Sequence, residues 1–148
     1  MTKTSRGLVE YASAQLGRPY WYGTFGNTAT NDLLAMKKGQ YPAHYQQARM
    51  QKYKSQLGER VHDCVGLIKG YLWSCSPDSK PVYNSYQDVS ANGMLLKCKE
   101  RGRIYTLPEI PGILVFMPGH VGIYIGGGRV IEARGFNYGV VETDIKNR

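Results

Sequence analysis

Apolar residues recur at helical spacing through the first half of the chain and alternate with polar ones in the last third. Leu8, Ala12 and Leu16 fall on one face of a segment 5–16, which Gly17 and Pro19 bring to an end. "RPYWYGTFGN" follows, an aromatic, glycine-punctuated stretch that reads as a loop. Thr30 or Asn31 is placed to cap a short helix ending at Gly39, and Pro42 to open a second one towards Leu57, with Gly58 as its stop. In "ERVHDCVGLIKGYLW", Val65, Ile68, Leu72 and Cys75 share a stripe with Leu67 and Tyr71 beside it, predicting a buried helix over 64–75. "SPDSKP" is a loop, and Ser90 to Cys98 a further helix. Then come four strand candidates, "GILVFM", "HVGIYIG", "RVIEAR" and "GVVETDI", the middle two joined by Gly126, Gly127 and Gly128. Helices first and an antiparallel sheet after predict one α+β domain over residues 1–148, with no linker and no internal repeat.

The hairpin pattern also predicts a register. With a three-residue loop, Ile125 faces Arg129, Ile123 faces Ile131 and Val121 faces Ala133, which gathers the apolar side chains on one face. His120, Gly122, Tyr124, Val130, Glu132 and Arg134 then share the other, with His120 and Glu132 as diagonal neighbours within side-chain reach.

The chain is 42% hydrophobic with 12 Tyr, sufficient for a core. Its formal net charge of +8 suits an anionic partner, an anionic wall polymer among the candidates, and equally a basic surface with no such role. No arginine-rich run with interleaved aromatics argues for nucleic acid. The N-terminus carries no apolar signal core and no window reaches membrane-spanning length, so the expectation is a chain made soluble in the cytoplasm, reaching any outside target by another route.

Three cysteines do not make a disulfide framework, and no CxxC pair suggests a thiolate metal site. A nucleophilic cysteine needs its thiolate favoured, by a helix N-terminus and a neighbouring imidazole, with a third group orienting that imidazole. Cys64 stands at a helix mouth; Cys75 is read in the last turn of the same helix, where the dipole opposes a thiolate, and Cys98 has no local base. A free cysteine is also commonly a small buried hydrophobe, and position alone does not choose between the two readings. His120 is the candidate base and Glu132 the candidate orienter, against an exposed strand glutamate paired with Arg129 or Arg134. His62 is too close to Cys64 in sequence and reads as a loop or capping residue, and His44 as a solvated one.

"DCVGLIKGYLW" followed by "IPGILVFMPGHVGIYIGGGRVIEARG", with "GRPYWYGTFG" upstream, resembles the NlpC-type cell-wall peptidases, a papain-like cysteine peptidase family with the elements PYxWGG, DCSGL, PGDLVFF and HVGIYLG in that order. The resemblance runs from Leu8 to about Val141. It implies a papain-like α+β core in which the cysteine helix packs on a small antiparallel sheet. It implies Cys64 as nucleophile, His120 as general base and Glu132 at the orienting position, which is more often His in the family; Glu there resembles the CHAP amidases. Tyr20, Asp63 and Val65 match positions at the substrate, Val65 replacing a serine. Ile113, Tyr22 and Thr24 also depart from the family pattern, and the segment from about Asn27 to Arg60 is longer than usual.

The implied activity is hydrolysis of a peptidoglycan stem-peptide amide, habitually the γ-D-glutamyl-to-diamino-acid bond, with no metal or organic cofactor. A phage or prophage endolysin acting on the wall after release, as a monomer and without nucleic-acid or membrane partners, fits that reading; a bacterial effector is the other origin. The alternatives are a CHAP-like N-acetylmuramoyl-L-alanine amidase and a non-catalytic wall-binding domain, the latter expected to have lost Cys64 or His120.

Overall fold

The computed structural model describes residues 2–147. Hydroxyl caps open three of its helices. Thr4 accepts the Gly7 N–H at 2.9 Å before α1 (Ser5–Ala14), Thr30 accepts from Leu33 at 3.1 Å before α2 (Asn31–Gln40), and Ser90 from Gly93 at 3.0 Å before α5 (Ala91–Lys97). Each oxygen satisfies an N–H that the helix leaves unpaired, worth about 1 kcal/mol. Between them lie α3 (Met50–Ser55) and α4 (Cys64–Trp73).

Four strands form an antiparallel meander in chain order: β3 (Leu114–Met117), β4 (His120–Gly126), β5 (Arg129–Ala133) and β6 (Val140–Asp144). The β4–β5 loop is one residue shorter than the sequence predicts. Gly126 pairs with Arg129, leaving Gly127 and Gly128 as the turn, all three glycines at positive φ. A bulge between Tyr124 and Gly126 absorbs the difference, so that Ile123 still faces Ile131. Val121, Ile123, Ile131, Ala133 and Val140 therefore lie on one face and meet Leu8, Tyr11 and Ala12 of α1 and Val65, Leu67 and Ile68 of α4 in one core.

A second core occupies the stretch between Trp21 and Val61 and includes Leu33, Leu34, Tyr45, Met50 and Tyr53. It is framed by two strands that the reading of "RPYWYGTFGN" as loop does not anticipate: β1 (Phe25–Thr28) and β2 (Arg60–His62), antiparallel to each other. The helix expected from Pro42 to Leu57 is also not formed. The Tyr41 carbonyl accepts the N–H groups of His44 and Tyr45 in a turn, a short 3₁₀ turn follows at Gln47–Arg49, and only six residues of α3 are helical. Aromatic anchors override helix propensity here: Trp21 meets Tyr53 edge-on at 5.3 Å, and Tyr45 donates its hydroxyl to the Tyr22 carbonyl at 2.6 Å.

Two helix ends fall short of expectation. α1 stops at Ala14, leaving Leu16 exposed. α4 stops at Trp73 because Ser74 is extended, its carbonyl bound by Lys3 and its hydroxyl by Arg60 at 3.0 Å. Cys75 thus lies beyond the helix and is exposed. Among the described residues no helix is long and apolar enough to cross a membrane.

Candidate active site

The mouth of α4 is held by Asp63. Its backbone is extended; its Oδ1 accepts the Gly66 N–H at 2.7 Å and its Oδ2 accepts the Gly23 N–H at 2.9 Å. One carboxylate thereby caps the helix and ties it to the loop before β1. The approach is close: a Cβ on Gly66 would run into the Thr24 carbonyl oxygen, so only glycine fits. Burial pushes the Asp63 carboxyl upward, opposed by those two N–H groups and then by Lys69 and Lys37. Cys64, the first residue of α4, is half-buried, its sulfur 3.9 Å from the Gly119 carbonyl oxygen, to which it donates.

His120 opens β4 next to that carbonyl. Its Nε2 is 2.7 Å from Glu132 Oε1, and its ring also hydrogen-bonds Cys64. With Nε2 taken by the carboxylate, Nδ1 is the nitrogen left to face the sulfur. The hydrogen bond to Cys64 first and that to Glu132 second raise the imidazole to about 9, against the desolvation that would lower it. Glu132 is 2% exposed, and its second oxygen accepts the Thr143 hydroxyl from β6. Gly122 stands between them on the same face; a Cβ there would come within 2.7 Å of Val130 Cγ1 and 3.4 Å of Glu132 Cβ. The order is sulfur, imidazole, carboxylate, hydroxyl, running from a helix mouth across three strands. Such an array can hold a proton on His120 beside a sulfur nucleophile.

The structure brings Tyr20 to the same place. It bridges to His62 alongside β2, and burial first, then the negative charge of Asp63, holds its hydroxyl strongly protonated. Asp63 and Val65 stand on either side of Cys64. Both Asp63 oxygens are committed to backbone N–H groups, and Val65 is 7% exposed within the aliphatic core.

His62 is not a loop or capping residue. It ends β2 fully buried, Nε2 2.7 Å from the Tyr11 hydroxyl, with no partner for Nδ1. Burial, then Arg60 and Arg18, lower it to about 3, so it is neutral. His44 is half-buried and stacks on Tyr22 at 3.7 Å and 8°. Cys98 donates to the Met94 carbonyl at 3.5 Å, away from His120.

Two supporting residues escape the sequence reading. Asn92 Oδ1 accepts the Gly119 N–H at 2.8 Å and so fixes the turn that carries the Cys64 contact and His120. Thr143 holds Glu132. The strand register predicts nothing about Asn92, whereas a register extended to "GVVETDI" finds Thr143 beside Val130. Among the described residues no group of three or more His, Cys, Asp or Glu side chains is arranged to hold a metal ion.

No protein-family model matches the chain, and no curated protein does. A solved structure does: that of NlpC1 from Trichomonas vaginalis, at a TM-score of 0.54 and 17% sequence identity, over 99% of this chain and 41% of that one. The chain thus has an NlpC-like α+β fold and spans less than half of that protein's length.

Proposed function

We propose that the protein is a peptidoglycan hydrolase that cuts a stem-peptide amide through Cys64, His120 and Glu132. The observation that carries the reading is the contact of His120 with both Cys64 and Glu132, at the N-terminus of α4. The NlpC-like fold supports it.

In this reading the proton rests on His120 at neutral pH. The Cys64 sulfur attacks the amide carbonyl carbon, and the carbonyl π electrons move to oxygen. This reading assigns the Cys64 backbone N–H and the protonated Tyr20 hydroxyl as donors to that oxyanion. As the tetrahedral intermediate collapses, the C–N bond breaks and His120 Nδ1–H protonates the leaving amine. His120, now neutral, takes a proton from water as that water attacks the thioester. The C–S bond breaks, the new carboxylic acid leaves and gives its proton to solvent or to the released amine, and the sulfur–imidazolium pair is restored. Glu132 keeps the imidazole aimed and favours its charged form; Thr143 keeps Glu132 aimed.

The bond proposed is the γ-D-glutamyl-to-diamino-acid amide, with the intact wall as target, anionic wall polymers as an additional attraction for the +8 chain, and a monomer as the active form. Origin as a phage or prophage endolysin belongs to the same proposal. The carboxylate at Glu132 favours one second reading, an N-acetylmuramoyl-L-alanine amidase. Clearance of a cell-wall suspension tests the shared chemistry. Cys64→Ala is expected to slow clearance about 10⁴-fold or more while the fold persists; clearance at the parental rate would remove Cys64 from the reaction.

A further inference from the structure

An ammonium withdrawn from water needs a counter-charge. Lys69 illustrates the ordinary solution: 7% exposed, it pairs with Asp88 at 2.7 Å. Lys37, near the end of α2, is 9% exposed and has no such partner. One of its N–H groups goes to Gln40 Oε1 at 3.1 Å, a neutral acceptor, and no carboxylate among the described residues forms an ion pair with it. Burial holds it below the usual lysine range, with Asp63 and Asp88 acting in the opposite sense from a distance.

Its position is as telling as its charge. A Cβ on Gly23 would lie 3.4 Å from Lys37 Nζ and 2.6 Å from Tyr41 Cε2, so both side chains close over a backbone that only glycine leaves open. Lys37 Nζ is 5.6 Å from the Tyr41 ring centre. Tyr41 meets Tyr22 edge-on at 4.9 Å, and Tyr22 stacks on His44. The same Gly23, the residue after Tyr22, donates to Asp63, the residue before Cys64. An aromatic wall thus runs from the loop tied to the mouth of α4 to a cation that the protein leaves without a carboxylate. A peptide lying along that wall with its scissile amide at Cys64 would carry a carboxylate to Lys37.

We infer that Lys37 is the anchor for a carboxylate of the substrate peptide, with Tyr22, Tyr41 and His44 as the shelf across which the peptide lies. The inference rests on the hydrolase reading for the identity of the peptide and adds a specificity element from the 27–60 segment.

The test is binding of L-Ala-γ-D-Glu-L-Lys-D-Ala to the Cys64→Ala protein, alongside the same peptide with each carboxylate amidated in turn. Amidating one carboxylate is expected to weaken binding about tenfold or more, the worth of a charge-assisted contact. Lys37→Met is expected to weaken the free acid by the same factor and to abolish the distinction, and Lys37→Arg to restore part of it. Because Lys37→Met removes an uncompensated charge and keeps the apolar stem, its melting temperature should be equal or higher. Discrimination that persists unchanged in Lys37→Met, or no discrimination and no binding in the parent, overturns the inference. The amidation series on the Lys37 protein asks the question without that variant. Cleavage by the unsubstituted enzyme is scored separately: discrimination in binding without cleavage of the wall overturns the hydrolase reading alone, and cleavage indifferent to every amidation overturns the role of Lys37 alone.

Discussion

The two cores are built of different material. Between α1, α4 and the four-stranded sheet the filling is largely aliphatic, with Leu8, Ile68, Val121, Ile123 and Ile131 on regular elements. Between Trp21 and Val61 the rings of Trp21, Tyr45 and Tyr53 share it with Leu33, Leu34 and Met50, on turns and short helices. Aliphatic side chains on periodic elements need no polar partners. The aromatic core needs them and has them: Trp21 Nε1 donates to Gln56 Oε1 at 2.8 Å, and Tyr53 donates to the His44 carbonyl at 3.1 Å. The difference separates two tasks. The aliphatic half holds Cys64, His120 and Glu132 on a helix end and strands, which restrict them. The aromatic half fastens an irregular segment by ring contacts and hydroxyls, and Gly23 ties that segment to Asp63 at the mouth of α4.

The largest expected effects set one half against the other. His120→Ala should lower turnover by about 10³–10⁴-fold and, above about pH 9 where the His120 charge no longer contributes, change urea stability by less than about 1 kcal/mol. Trp21→Ala should do the reverse, losing about 3–5 kcal/mol of stability in the same denaturation, with turnover per folded molecule falling far less. If both variants lose turnover and stability together, the two halves are not separable in this way.

Glu132→Gln ranks next. Glutamine still accepts from His120 but no longer favours its charge, so turnover should fall by about 10–100-fold and remain above that of His120→Ala. Equal, complete loss in both would make the carboxylate indispensable and contradict its role as orienter.

The smallest effect is a pH dependence that belongs to the aliphatic half alone. His120 is raised to about 9 in the fold from its ordinary value near 6.5. Its contribution to stability is therefore fully present below about pH 6.5 and lost as pH rises towards about 9. Since the contact with Cys64 is the largest cause, Cys64→Ala should lower the His120 titration seen by NMR and flatten that loss. An unchanged titration would mean that sulfur and imidazole do not interact. His62 should add nothing in this window, because it is held neutral at about 3.

What was legible in the sequence follows the same division. Alternation marked β3 to β6, and the apolar pairing of Ile123 with Ile131 put His120 and Glu132 on one face, even though the turn is shorter and a bulge makes up the residue. Threonine and serine caps marked α2 and α5. The aromatic half was not legible because its order comes from contacts distant in sequence. β1 and β2 are four and three residues long and pair across the whole insertion, too short for any period to register. Pro42 signals a helix start that tyrosine anchoring overrides. At the site, the cap that Asp63 makes with two backbone N–H groups and the packing of Val65 in the aliphatic core were not legible, because both depend on contacts made only in the fold. Asn92 was missed because its partner is a backbone N–H in a turn 27 residues away, which no side-chain pattern encodes.

The central claim is that Cys64 and His120 act on a stem-peptide amide, and mass spectrometry of muropeptides tests it most directly. Purified wall digested with the unsubstituted protein should yield fragments with a new amino terminus on the diamino acid, and digestion with Cys64→Ala should yield none. A wall left intact by the unsubstituted protein, or the same fragments from both proteins, would contradict the account.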